Sequence, residues 1–594
     1  MSQKHLRLAC STGQYDVVVA ISEKLLNDQL AMYRKHPRVK KFSQIQETLE
    51  SYILFAELGP IRVTIPAKDG QCRMLYHVVF DKATLKTANG DKTYVLDGTD
   101  LAFEVDIVLQ KVDQKDLPQL QGLLKVPNEF SIQRLMLDFG LTETSRFNLL
   151  ESSIKTNIPS SAPQEVNEAL QKLTASWLVH HNDVEAALLK MESTQEGGPK
   201  GSVKFPILYY AMPPKPQTAK SSPGIYTPTA VVHQLYPFPG STQDSRANCL
   251  LYLETINKDG HLPSGIRLST DNGIFVTQDG NPSERIDGSM AINSKIFFDN
   301  YLIPILRPVV KQAELDCVTA GPGSEPGQYQ WSYKFGDNPS HRDWNDDYFL
   351  MKGQQGYDNV YNGTGWFNQK VHGMENTNGW RWLGDVDIVG SANPEETNSA
   401  KLTGRSIINL QFQPGTNKAV LTGWSTMELH IRSQKEWDNL SSQIATTGKW
   451  SIDFIVEIGD ERQLNIRPTW GGDIDFSDWT SSNLGVEVVN SKAVLSDFHQ
   501  KFRESLEHIK TYLGELEGKM RQDCFVIAGH GYFFMKNPIF NNNGDLLVEI
   551  KYDGIPKANQ GPANVAAFGQ GDHIQVPAVI NAPTKPTVVL AQVA

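Results

Sequence analysis

Side chains able to do chemistry gather in a few places along this 594-residue chain, and none has the spacing of a catalytic or metal-binding signature. The densest group lies in HRDWNDDYFLMKGQQGYDNVYNGTGWFNQKVHG, with His341, Asp343, Asp346, Asp347, Asp358 and His372 beside Trp344 and Trp366. Carboxylates and imidazoles at that density could ligate a metal, or form a sugar-binding face with the indoles. Their spacings match neither HExxH, nor a two-histidine-one-carboxylate set, nor an EF-hand loop. Aromatic residues in a long loop commonly form that loop's own small core, and we read the segment so. In GGDIDFSDW, Asp473, Asp475 and Asp478 suggest calcium, but Asp478 stands where such a loop needs glycine and Leu484 where it needs glutamate. Gly529-His530-Gly531 invites a catalytic histidine; flanked by Ile527 and Tyr532 in a strand pattern, it reads instead as a β-bulge or a close helix-to-sheet contact.

No serine sits in a GxSxG elbow, no phosphate-cradling glycine loop follows a strand, and no CxxC occurs. The sequence therefore predicts a protein without catalytic residues, cofactor or metal. One basic cluster remains: Arg34, Lys35, His36, Arg38, Lys40 and Lys41. It could meet an anionic lipid headgroup, each cation near a charged membrane contributing about 1 kcal/mol. The plainer reading is a solvated helix end whose cations complement the helix dipole.

Charge and composition narrow the partners. Lys and Arg number 56 against 67 Asp and Glu, a net charge of −11, and phosphate binding needs a basic face, so nucleic acid is not expected. The N-terminus has no apolar run of signal-peptide length, and no segment is apolar enough to span a bilayer. Five scattered cysteines, Cys10, Cys72, Cys249, Cys317 and Cys524, read as reduced, buried thiols. A cytoplasmic protein is expected, with release by a signal-less route left open.

The elements that must position any site follow from periodicity. From Ala493 to Met520, Val494, Phe498, Phe502, Leu506, Ile509, Leu513, Leu516 and Met520 recur at spacings of three and four. That predicts one amphipathic helix roughly 40 Å long. Two β-rich runs follow in FVIAGHGYFFMKNPIFNNNGDLLVEIKY, joined by a turn at Asn541 to Asp545. Near the start, Ser22 is the candidate N-cap of a helix burying Leu25, Leu26, Leu30 and Tyr33. Between Ile61 and Leu109 the period becomes two, and the run 101–109 is long for a strand. Residues 163–180 predict another helix. A further one begins near Ile292 and is expected to break at Pro304 and Pro308. Four alternating runs after residue 400 predict a meander.

Taken in order, YDVVVAISEKLLNDQL, FSIQRLMLDF, DGSMAINSKIFFDNYLIPIL and FVIAGHGYFFMKNPIFNNNGDLLVEIKY resemble the OrfX and forty-seven-kilodalton proteins encoded beside botulinum neurotoxin genes and in insecticidal toxin clusters. The resemblance covers most of the chain loosely, and leaves residues 319–400 and those after Tyr552 without a counterpart. It implies the TULIP fold, in which a highly curved antiparallel sheet rolls around a long helix, and whose relatives bind lipids. It brings no catalytic residues.

The expected fold class is α+β, with elongated TULIP-like modules. The expected division is an N-terminal sheet and helix module at 1–215, connecting strands and a helix at 216–318, a Gly/Asn/Trp-rich loop excursion at 319–400, a C-terminal module at 401–553, and a poorly ordered tail at 554–594. The expected function is binding of a lipid or other long apolar molecule, with peripheral membrane contact possible. The alternative is a scaffold that meets protein partners in a toxin-like or defensive complex. The expected ligand lining is Phe498, Phe502, Leu506 and Ile509 of the long helix, with Phe103, Val105 and Ile107 of the run 101–109.

Overall fold

The structure is a computed structural model. It describes residues 3–35, 44–111, 131–138, 146–180, 204–212, 228–256, 262–278, 285–336, 349–351, 379–520 and 533–552, apart from short interruptions within those ranges. Within them the chain is rich in sheet, with open antiparallel sheets and few helices.

A central sheet joins distant parts of the sequence. It comprises β1 (Val17–Ser22), β10 (Ala230–Tyr236), β11 (Cys249–Thr255), β12 (Gly288–Ile292), β23 (Phe533–Phe540) and β24 (Leu546–Tyr552), in the order β10-β11-β1-β12-β24-β23. Strands β1, β11 and β12 are buried along their whole length, which is why VVVAIS and CLLYLET are unbroken apolar runs rather than alternations. Period two still sorts their side chains. Val17, Val19 and Ile21 enter the main core, while Val18 and Ala20 enter a second, smaller core on the opposite face, with Leu251, Phe275 and Leu547. The predicted turn after β23 closes on itself: the Asn541 side-chain oxygen accepts from the backbone N–H groups of Asn543 (2.9 Å) and Asp545 (2.8 Å). Its amide donates to Cys10 O at 2.9 Å, so the C-terminal hairpin holds the N-terminal segment in place.

The N-terminal sheet runs β2 (Gln44–Leu49), β3 (Tyr52–Leu58), β5 (Arg73–Thr87), β7 (Asp100–Lys111), β8 (Ser131–Asp138) and β9 (Lys204–Met212), with β4 (Arg62–Thr64) and β6 (Thr93–Val95) also paired to β5. Two predicted helices serve it. One spans Glu23–Lys35 and is capped by Ser22, whose Oγ accepts from Leu25 N at 3.2 Å. The other spans Pro163–His180 and packs against β2 and β3 through Val166, Leu170 and Leu173.

The C-terminal sheet runs β15 (Phe349–Met351), β16 (Gly379–Leu383), β18 (Asn398–Phe412), β19 (Lys418–Lys435), β20 (Asp438–Ile458) and β21 (Leu464–Trp470). Strand β17 (Asp387–Gly390) pairs with β18, and β22 (Asp475–Ser482) with β20. The predicted meander is present, and its strands are longer than the alternation suggests: β18, β19 and β20 have 15, 18 and 21 residues, the last roughly 70 Å of chain. A hairpin of β13 (Leu315–Pro322) and β14 (Tyr329–Phe335) packs on β18. The densest carboxylate-imidazole group, His341 to His372, and the tail after Tyr552 lie outside the described residues, as does the Pro/Lys/Ser-rich stretch 213–224, whose composition reads as a loop or linker.

The 30-residue long helix, Ser491–Met520, lies against β20, β21 and β14. Asn490 caps it, accepting from Ala493 N at 3.2 Å. Val494, Phe498, Phe502, Leu506, Ile509 and Leu513 are all buried, as their spacing predicts. The helix also packs on Ile303–Ala313, through Ser505 Oγ donating to Gln312 O at 2.6 Å. Here expectation and structure differ. Pro304 and Pro308 do not end a helix, because Lys295–Leu302 is a π-helix that hands over at Ile303. Pro304 thereby falls in the first turn of the next helix, where a missing N–H costs nothing.

Candidate functional site

The residues predicted to line an apolar site are all buried, in two groups, one on the long helix and one on the N-terminal sheet. Phe498 and Phe502 stack at 5.8 Å with their ring planes 13° apart. Phe335 meets both edge-on, at 5.6 Å and 5.4 Å. Phe476 approaches Phe502 at 5.7 Å, and Tyr333 approaches Phe498 at 5.9 Å. Opposite lies Gly448 of β20, where a Cβ would stand 2.6 Å from the Phe502 ring. Bare backbone there lets the ring lie directly on the sheet. This end of the interior is filled by aromatic rings. Leu506 and Ile509 continue the stripe without rings of their own.

The second group sits on β7, where Phe103 and Val105 are fully buried and Ile107 nearly so. Register places Phe103 opposite Tyr76 and Val105 opposite Met74. Both groups belong to one apolar cluster that extends from the N-terminal sheet through the central sheet to the long helix. Of the basic cluster, Arg34 and Lys35 close the Glu23–Lys35 helix, their side chains undescribed. Arg38, Lys40 and Lys41 lie outside the described residues.

Two polar features escaped the sequence reading. The first is a network on the N-terminal sheet. His77, 3% exposed, places Nδ1 3.0 Å from Asp100 Oδ1 and Nε2 3.0 Å from Thr64 Oγ1, and Arg62 also reaches both His77 and Asp100. Burial raises the Asp100 pKa, but the hydrogen bond and charge of His77, together with Arg62, outweigh it and hold the carboxyl below the usual range. MLYHVVF hides this histidine because β5 is buried on both faces there, so no alternation marks it.

The second is an open cleft of about 630 Å³ on the outer side of the long helix, lined by Lys492, Ser496, His499, Arg503, Glu504 and Asp478, among others. The His499 ring stacks on Phe476 at 3.8 Å, and its Nε2 lies 3.0 Å from Asp478 Oδ1. Thr446 Oγ1 donates to the same oxygen at 2.6 Å. Lys492, His499 and Arg503 recur at intervals of seven and four, which is the signal that marks this face. Asp475 and Asp478 stand on β22, and among the described residues no three His, Cys, Asp or Glu side chains could hold a metal ion. The free thiols of Cys10, Cys249 and Cys317 are buried, with burial pushing Cys10 up to about 12. Among the described residues no helix is long and apolar enough to cross a membrane.

No protein-family profile matches the chain, and no curated protein matches it. Solved structures do. P47 from Clostridium botulinum A2 is 12% identical over 91% of this chain and 98% of that one, with a TM-score of 0.40. P47 of Clostridium botulinum E1 is 11% identical over 91% and 99%, with a TM-score of 0.41. A lipopolysaccharide binding protein is 9% identical over 91% and 99%, with a TM-score of 0.32. The two P47 proteins are of the group that the sequence resemblance names.

Proposed function

We propose that this chain is a non-enzymatic binder of a lipid or other long apolar molecule. On this reading its sheets form TULIP-like modules, at 1–215 and 401–553, with the connecting strands and helix of 216–318 and the excursion of 319–400 between them. The observation that supports it is the apolar stripe of the 30-residue helix, laid against a 21-residue strand, β20, far longer than an ordinary sheet needs. Phe498 and Phe502 close one end of the seam, and Leu506 and Ile509 line the part an acyl chain would enter. Phe103, Val105 and Ile107 serve the equivalent row on the N-terminal sheet. Affinity comes from burial alone, at about 0.8 kcal/mol per methylene, so a sixteen-carbon chain supplies up to roughly 12 kcal/mol before ordering costs. The basic segment Arg34 to Lys41 would meet an anionic headgroup, and neutralising Lys35, Lys40 and Lys41 should weaken binding to anionic vesicles.

A rival reading has support of its own. The rings around Phe502 pack closely, as in a module that serves only as a scaffold for protein partners. Titration with a fluorescent polyene fatty acid separates the two. The binder reading requires saturable uptake that Ile509→Trp diminishes while the circular dichroism spectrum is kept. A chain that takes up no fatty acid is the scaffold.

A further inference from the structure

We propose that Trp382 and Trp450 hold the ester carbonyl of a bound lipid inside the C-terminal sheet. This rests on the apolar-ligand reading and adds to it the polar group that the interior recognises.

Three observations converge. First, two buried donors lack partners. Trp382 is 0% exposed and Trp450 2%, and neither indole Nε1 has a hydrogen-bond partner among the described residues. A buried indole N–H ordinarily finds one, because leaving it unpaired forfeits the hydration it had in the unfolded chain.

Second, register puts both indoles in one cross-strand row on the inner face. Trp382 of β16 stands opposite Ile408 of β18, Ile408 opposite Gly423 of β19, and Gly423 opposite Trp450 of β20. A Cβ at Gly423 would collide with the Trp450 ring at Nε1, Cε2 and Cζ2, so the N–H edge of that ring lies over the middle of the row. The long helix passes above. It advances along β20 in the same direction, with His499 near Thr446, Phe502 on Gly448, and Lys510 over Trp470, the partner of Ile452. Leu506 therefore comes level with Trp450, on the stretch assigned to the acyl chain.

Third, the surroundings choose the chemistry of the ligand. Ile408, Leu410, Leu421 and Ile452 around the row are buried and apolar. The serines of the neighbouring row, Ser406 and Ser425, are committed to each other and to Ala313 O. A buried water needs roughly two to four polar partners, which this lining does not offer. No member of the row is charged, so a carboxylate would lie there without a cation, whereas an ester carbonyl accepts a hydrogen bond and carries no charge. Neutral donors in an oily wall thus select an acyl ester over the free fatty acid.

The probes are cis-parinaric acid, its methyl ester, and diphenylhexatriene, a hydrocarbon with no acceptor. Each is titrated by fluorescence into the full chain at about pH 8, where the acid is charged. The ester should bind about tenfold more tightly than the acid. The double variant Trp382→Phe/Trp450→Phe should weaken the ester about tenfold or more, and diphenylhexatriene by less than about twofold. With nitrogen-15-labelled tryptophan, the indole N–H protons of Trp382 and Trp450 should move downfield on adding the ester and stay in place with diphenylhexatriene, which reads the hydrogen bonds in the native protein. The proposal is overturned if the variant weakens both probes alike, since the indoles then act by packing alone, or if it weakens neither. It is overturned also if the acid binds as tightly as the ester, or if neither indole proton moves. Those outcomes leave the apolar-ligand reading standing, whereas a native chain that takes up none of the three probes ends both.

Discussion

The N-terminal and C-terminal sheets each bury a helix stripe, but they are held by different forces. Around the long helix the interior is aromatic: Phe335, Phe476, Phe498 and Phe502 touch one another, and Phe502 rests on the bare backbone of Gly448. Under the Pro163–His180 helix the buried residues are mainly aliphatic, Val166, Leu170 and Leu173 among them. The N-terminal sheet adds an ionic knot of Arg62, His77 and Asp100 spanning β4, β5 and β7. The interior under the long helix thus depends on shape, and the N-terminal sheet partly on a half-buried charge cluster. Their responses to mutation and to pH should therefore diverge.

The largest effect should come from the aromatic end. Phe502→Ala should destabilise the C-terminal part of the chain by about 3–5 kcal/mol, because the emptied site is walled by rigid rings and backbone. Urea unfolding followed by tryptophan fluorescence would register it, and a loss below about 1 kcal/mol would refute close packing there. In the aliphatic interior, Leu170→Ala should cost about 2–5 kcal/mol and lower the N-terminal transition while leaving the C-terminal one in place. A single shared transition would mean that the two regions do not stand apart in stability.

Acid should distinguish the two regions next. The folded pKa of Asp100 lies below its unfolded value. Its contribution to stability is therefore fully present above the unfolded carboxylate pKa, near 4, and is lost as pH falls through the folded pKa. Asp100→Asn should remove about 1–3 kcal/mol at neutral pH and flatten the acid limb of the N-terminal transition alone. An acid limb unchanged by the substitution would show that the knot is not what responds. The smallest effect is at the helix cap: Asn490→Ala should cost about 1 kcal/mol, read as a lower denaturation midpoint of the C-terminal transition.

Much of this architecture was legible where one face is apolar and the other wet. The stripe Val494 to Leu513, the Pro163–His180 helix and the Ser22 cap all follow from period and cap chemistry. Strand β20 was legible only from Trp450 onward. Its first half, DNLSSQIATTGK, turns Ser442, Thr446 and Gly448 inward, so a buried face is written in small and polar residues. The handover at Pro304 was hidden because a π-helix leaves no sequence period of its own. His77 was hidden because its strand is buried on both sides. The cleft needed the third dimension, since Phe476 and Asp478 on β22 complete a surface that the helix residues only begin.

The decisive measurement is the lipid content of the protein as purified, read by organic extraction and mass spectrometry. An apolar-ligand binder should carry an acyl-chain lipid in a fixed ratio to protein, depleted in the Ile509→Trp variant. Protein free of any such guest, and equally free after incubation with lipid, would contradict that function.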